Sequence, residues 1–122
     1  MFRRMIASFA LLLAFVSSAS AQAPSQVHLV QGVVHGIRSD ALGQALDADL
    51  RALEGVLVCR FDRNNRNLYV EVGADSPMDE QSVRDVVETH GGTLTCYQRL
   101  PFGAQPFRLL DPRHCTQAPA VR

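Results

Sequence analysis

The feature that most constrains this chain is a segment in which leucine recurs at helical spacing between two glycines. The leucines follow one another at intervals of four, four and three residues, as Leu42, Leu46, Leu50 and Leu53. This spacing places them on one side of an α-helix, which must then pack against another element. Ser39 precedes them as a candidate N-cap, and Gly55 is expected to end the helix.

Patterns on either side of this helix predict four strands and a second helix. Apolar residues alternate from Val27 to Ile37, as is typical of a strand. Two further alternating runs flank a polar turn at residues 62–67, which predicts a β-hairpin. In its first run, the side chains expected to face the core are Leu57, Cys59 and Phe61.

The second helix is expected to begin with Ser76 as N-cap and Pro77 at the first helical position, and to end at Gly91. β-Branched and aromatic residues from Thr93 to Leu100 then predict a fourth strand. The order strand, helix, strand, strand, helix, strand is the α+β arrangement of ferredoxin-like domains. The expected architecture is a four-stranded antiparallel sheet with both helices on one face, followed by an irregular C-terminal tail.

The stretch from Gly36 to Val56 resembles, position for position, the first loop and helix of heavy-metal-associated (HMA) domains. In that family the loop has the form Gly-Met-x-Cys-x-x-Cys, and Gly-Val follows the helix. Here Ile37 stands in place of the methionine, while Ser39 and Leu42 stand in place of the two cysteines. The resemblance extends over about residues 30–94 and implies the same ferredoxin-like fold.

In metal-binding HMA domains the paired thiolates hold a soft ion such as Cu(I). Ser39 offers only an un-ionised hydroxyl at these positions, and Leu42 offers no donor atom. We therefore expect no metal at the family's motif. Ser39 is expected to cap the helix, and Leu42 is expected to extend the apolar stripe into the core.

The N-terminus has the pattern of a secretory signal peptide. Arg3 and Arg4 precede an apolar run at residues 6–16, and Ala19-Ser20-Ala21 fits a small-x-small cleavage site. We expect residues 1–21 to be removed near Ala21, which leaves no stable membrane anchor. The mature protein is expected in the periplasm or outside the cell, as an HMA-like domain at residues 22–100 and a proline-rich extension at residues 101–122.

Charge and motif content argue against nucleic-acid binding and against catalysis. Twelve basic and twelve acidic residues balance to a net charge of zero, whereas nucleic-acid binding needs clustered positive charge. Asp47 and Asp49 are two residues apart on a helix and point in different directions. Gly91-Gly92 follows a helix instead of opening one, so it does not form a phosphate loop. We expect a protein that is not an enzyme.

Three cysteines in an exported chain predict one disulfide and one free thiol. Cys59 alternates in phase with core residues and is expected to be buried. In the predicted sheet, Cys59 and Cys96 lie on opposite edge strands, too far apart to bond. We favour a bridge between Cys96 and Cys115, which would tie the tail to the sheet edge.

A relocated metal site is the alternative use of these side chains. His114 and Cys115 could bind copper or zinc together with Cys96, or else with His28 or His35. Only the residue types support this site, because their spacing matches no metal motif. Without it, we expect no cofactor.

A binding role remains. Apolar residues among the prolines of the tail indicate that residues 101–115 pack over part of the domain, while residues 116–122 are expected to be loose. The sheet face away from the helices should be covered either by this tail or by a partner, which could be another protein or a second copy of the chain. The residues expected to contribute to an interaction are Val33, His35, Arg60 and Tyr69. The sequence thus predicts an exported, non-catalytic, HMA-like binding module, with copper or zinc trafficking as the alternative.

Overall fold

The computed structural model describes residues 26–116. The predicted signal peptide, its cleavage site at Ala21 and the end of the tail at residues 117–122 lie outside the described residues. The elements, in chain order, are β1 (Val27–His35), α1 (Asp40–Arg51), β2 (Val56–Asp62), β3 (Asn67–Gly73), α2 (Glu80–Thr89) and β4 (Thr93–Pro101). The strands form one antiparallel sheet in the order β2-β3-β1-β4, which confirms the predicted ferredoxin-like fold.

The main core lies between the two helices and one face of the sheet. The largest of its fully buried side chains are Val30, Val34, Leu46, Leu50, Leu68, Val70, Val72, Val83 and Val87. Burial of each such side chain contributes roughly 1.5–3 kcal/mol to folding. The helices cover this face alone, and the opposite face of the sheet, here called the open face, carries the candidate site.

Helix α1 begins where the sequence predicts, and its stripe is rotated from the expected one. The Ser39 hydroxyl accepts a hydrogen bond from the Leu42 backbone N–H at 3.2 Å, which confirms the N-cap. The buried positions are Gly43, Leu46 and Leu50, so the expectation that Leu42 lies in the core is wrong. Leu42 is 37% exposed, whereas its neighbour Gly43 lies against the ring of Phe61.

Two further expectations about α1 and β2 need correction. Helix α1 ends at Arg51, and Gly55 lies beyond it in the turn before β2, where its φ of 85° suits glycine. A register shift between Val56 and Val58 then interrupts the pairing of β2 with β3. This irregularity turns Leu57 outward, where it is 62% exposed, instead of into the core.

Helix α2 starts later than predicted. Its N-cap is Asp79, whose carboxylate accepts from the Ser82 backbone N–H at 2.8 Å, while the Ser82 hydroxyl bonds back to the Asp79 N–H. The Ser82 hydroxyl also donates to this carboxylate at 2.7 Å, and this bond, followed by the one from the Ser82 backbone N–H, lowers the pKa of Asp79 below its ordinary value. The predicted cap, Ser76, instead accepts from the Met78 N–H and donates to the Glu54 carbonyl. No helix among residues 26–116 is long and apolar enough to cross a membrane.

Candidate functional site on the open face of the sheet

The HMA motif positions supply no metal ligands. Ser39 uses its hydroxyl to cap α1, and Leu42 has no donor atom. The neighbouring charged side chain, Asp40, forms an ion pair with Arg63 at 2.9 Å. The start of α1 is therefore held by a cap and a surface ion pair.

The relocated ligands do not form a ligand set in the described residues. The sulfur atoms of Cys96 and Cys115 lie at bonding distance, with their Cα atoms 5.0 Å apart, and a disulfide leaves neither sulfur as a thiolate. His114 lies exposed in a turn of the tail. Across residues 26–116, no three His, Cys, Asp or Glu side chains are grouped in a way that could hold a metal ion.

The other two histidines considered as metal ligands, His28 and His35, both lie in or at the end of strand β1. His28 accepts a hydrogen bond at Nδ1 from Arg99, at 2.8 Å. His35 is half-buried at the end of β1. His28 is thus engaged by a hydrogen bond within the sheet, and His35 is a strand-end residue.

Cys59 is buried against the helices, as predicted. Burial raises the pKa of its thiol well above the ordinary range, and a hydrogen bond with Asp47 raises it further. A thiol held in the neutral form is a poor nucleophile and a poor metal ligand. Cys59 therefore behaves as a small core side chain.

The tail crosses the open face and is held there by two buried amide side chains. Gln31 donates from Nε2 to the Arg108 carbonyl at 2.9 Å. Asn67 donates from Nδ2 to the Leu110 carbonyl at 2.9 Å and accepts at Oδ1 from the Leu110 N–H at 2.7 Å. Gln31 is only 3% exposed and Asn67 only 6% exposed. The sheet thus captures the tail through its backbone.

Side chains of the tail add apolar contacts to this backbone capture. Leu110 is 2% exposed. The ring of Phe107 meets the ring of Tyr69 edge-on, with centroids 5.3 Å apart and planes at 83°, a favourable aromatic geometry. Tyr69 is the strand residue that sequence reasoning assigned to an interaction, and its first partner is the chain's own tail.

The tail is anchored at the sheet edge by a distorted stretch of β4. The pairing of β1 with β4 shifts register between Gln31 and Val33, which places an extra residue on β4. Cys96 lies in this bulge with φ at 59°, and Cys115 has φ at 56°. Residues other than glycine in this left-handed region lose roughly 1–2 kcal/mol each. Both cysteines therefore hold unfavourable backbone conformations in the position that joins the tail to β4.

Two of the predicted interaction residues are not freely accessible. Val33 pairs with Asn67 in the sheet and is fully buried, because the face on which it lies is covered where the tail crosses. Val33 therefore offers no exposed side-chain surface with the tail in place, and its part in an interaction stays a prediction. His35 is half-buried beyond it.

An open groove of about 530 Å³ remains between the tail and strands β2 and β3. Its lining combines apolar and charged side chains, among them Val58, Arg60, Tyr69, Glu71, Phe107 and Leu109. Arg60 is exposed, and Phe107 and Leu109 are 52% and 40% exposed. Partial burial, followed by the effect of Glu71, raises the pKa of Tyr69, which keeps its phenol as a neutral hydrogen-bonding group.

No family model matches the sequence, and no curated protein matches it. Solved structures do match the fold. The N-terminal domain of a potential copper-translocating P-type ATPase from Bacillus subtilis, in the Cu(I)-loaded state, is 16% identical, with a TM-score of 0.52 over 57% of this chain and 85% of that one. The chain has the fold of an HMA copper-binding domain.

Two further HMA-like structures show the same likeness. A copper-binding domain from HMA7, a P-type ATPase, is 18% identical, with a TM-score of 0.51 over 56% of this chain and 90% of that one. The CopZ metallochaperone is 16% identical, with a TM-score of 0.51 over 55% of this chain and 98% of that one. At such low identity these likenesses establish the fold alone.

Sequence reasoning named Arg60 and Tyr69 and missed Asn67. Asn67 was assigned to the polar turn of the hairpin, whereas it opens β3 with a buried side chain. Its tail partner, Leu110, lies 43 residues further along the chain. Only an unusual tail composition, with leucine and phenylalanine among prolines, pointed to a packed segment.

Proposed function

We propose that this protein is an exported, non-catalytic binding module that keeps the HMA-like fold without the family's paired thiols, and that it binds a protein partner at the groove of the open face. The observation that carries the proposal is this groove, in which exposed Phe107 and Leu109 lie beside the exposed Arg60. Aromatic residues and arginine are frequent among the side chains that dominate binding energy at protein interfaces.

The way in which the candidate metal ligands are engaged also favours binding of a protein partner over binding of a metal ion. The Ser39 hydroxyl is engaged as a cap, and Cys59 is a buried neutral thiol. The remaining two cysteines lie at bonding distance from each other. Thiolates, the donors that suit Cu(I), are therefore scarce in the described part of the chain.

Site-specific photo-crosslinking of the exported full-length protein tests this function. A benzoylphenylalanine placed at residue 60 should give a discrete adduct, whose partner is then identified and purified. The same probe at residue 88, on the exposed side of α2, is the matched control and should give none. Binding of the purified partner should weaken at least tenfold in Tyr69→Ala. Equal adducts at both positions, or unchanged binding in Tyr69→Ala, would refute the proposal.

A further inference from the structure

We infer that the open face is a recognition site for an extended peptide with an aromatic residue three positions before a leucine, and that the chain's own tail occupies this site in cis. The inference rests on the proposed function for the place of binding, the strand residues Arg60 and Tyr69 of the groove, and it names the partner's chemistry. The partner is an extended segment of another exported protein that replaces the tail, so that its own aromatic and leucine side chains take the places of Phe107 and Leu110. The bound tail shows which chemistry the site accepts.

The first part of the case is the recognition of backbone. The Asn67 amide bonds to both the N–H and the C=O of Leu110, and Gln31 bonds to the C=O of Arg108. The sheet thus binds two alternate residues of the tail, Arg108 and Leu110, through backbone atoms that every peptide possesses. Such capture supplies affinity without requiring a particular sequence.

These two amides are also held by residues outside the tail. Gln98 donates to the Oε1 of Gln31 at 2.7 Å, which orients the Gln31 amide toward the tail. The second N–H of the Asn67 amide donates to the Asn65 carbonyl at 3.0 Å. Both side chains belong to the sheet, and each keeps one hydrogen bond to a residue outside the tail, so part of the geometry that receives the tail is supplied by the domain.

The second part of the case is the placement of side chains. Leu110 is almost fully buried, whereas Leu109 is 40% exposed, so the site selects one leucine of the pair. Phe107, three residues earlier, lies against Tyr69. The selectivity of the site therefore comes from a leucine anchor and an aromatic contact at fixed separation.

The third part is the attachment of the tail. The segment that leads to it, residues 102–106, is exposed and contains Gly103 and Pro106. A tethered tail has an effective concentration of about millimolar and competes with any free peptide. The Cys96–Cys115 bond fixes the far end as well. A dithiol reductant that exchanges with this bond becomes oxidised, releases two thiols and leaves the tail held at one end only.

Fluorescence anisotropy with a labelled peptide of residues 105–111, acetyl-Gln-Pro-Phe-Arg-Leu-Leu-Asp-amide, tests the inference on the full chain. In a Cys96→Ser/Cys115→Ser background, Leu110→Ala weakens the tail while leaving the sheet residues intact. We expect this protein to bind the peptide at least tenfold more tightly than the oxidised, unsubstituted protein does. Adding Asn67→Ala should reverse the gain at least tenfold, and a peptide with alanine in place of the second leucine should not bind.

Circular dichroism establishes that each variant is folded. Phe107→Ala, which alters an exposed tail residue, replaces Leu110→Ala if the latter unfolds. The inference is overturned if folded protein with a weakened tail gains no affinity, if Asn67→Ala leaves the gain intact, or if the protein only exchanges tails between two copies and excludes the peptide. A specific adduct at residue 60 without peptide binding would remove this inference alone, whereas peptide binding without an adduct would remove the proposed groove.

Discussion

Asn67 joins parts of the chain that no local pattern connects. Its one amide group bonds to the Asn65 carbonyl in the hairpin turn and to both backbone groups of Leu110 in the tail. Leu110 lies in a covered position, so water cannot easily replace these bonds. A buried backbone group that loses its partner keeps its full desolvation penalty.

Replacing Asn67 by alanine should therefore lower the free energy of unfolding by roughly 2 kcal/mol or more. Urea denaturation measures the loss. Asn64→Ala, an exposed substitution in the same turn, is the control and should change stability by no more than about 0.5 kcal/mol. Comparable losses in the two variants would contradict the role assigned to the Asn67 amide.

Predictions for single residues succeeded where the deciding contact is close in sequence and failed where it is distant. Ser39 could be identified as a cap because the bond it makes lies within four residues of sequence. Leu42 could not be placed, since the side of α1 that faces the sheet, with Gly43 against Phe61 of β2, is set by contacts distant in sequence. The role of Asn67 could not be predicted either, because the Leu110 backbone that it binds lies 43 residues away in sequence.

At the scale of elements, hydrophobic periodicity gave all four strands and both helices, because each element buries one side. The errors in these predictions concern the ends of helices and the irregular positions of strands. The bulge that exposes Leu57 has no local sequence signal, and α2 starts at Asp79 because the reciprocal bonds with Ser82 outcompete the cap expected at Ser76. The choice between two capping residues three positions apart depends on tertiary contacts, here the bond from Ser76 to the Glu54 carbonyl.

The cap of α2 predicts a pH dependence. The pKa of Asp79 is lowered in the folded protein, so its stabilising effect is present above the unfolded pKa and is lost as pH falls through the folded pKa. Asp79→Ala should lower the urea midpoint at neutral pH, and the difference from the unsubstituted protein should vanish in acid. Glu88→Ala, another exposed site on α2, is the control. A difference that persists in acid would show that the carboxylate charge is not the cause.

The connection between β4 and the tail gives a second prediction for an element. If Cys96 and Cys115 are bonded in the exported protein, reduction removes a cross-link spanning 19 residues and should lower stability by about 3 kcal/mol. Amide exchange at Leu110 should accelerate much more than exchange at Val70 in the centre of the sheet. The same reductant added to Cys96→Ser/Cys115→Ser, which has no bond to reduce, is the control and should change neither quantity. Unchanged Leu110 exchange after reduction would show that the hydrogen bonds alone hold the tail.

At the scale of the whole molecule, residues 26–116 form a sheet covered on one side by helices and on part of the other by the tail. This arrangement leaves the thiols bonded or buried. Native mass spectrometry of the exported protein, purified without chelators, should therefore show a chain cleaved near Ala21 that carries no copper or zinc after exposure to either ion. One tightly bound metal, lost in Cys115→Ser, would instead establish the relocated site.

The start of α1 has a consequence for how such a scaffold can be reused. Ser39 contributes a local cap and Leu42 is partly solvent-exposed, so neither position belongs to the buried core. Chemistry at these two positions can therefore change while the architecture persists, and a cysteine pair could be installed or removed there without repacking the interior. In this fold the residues that determine the architecture are therefore distinct from those that would determine metal binding at the start of α1.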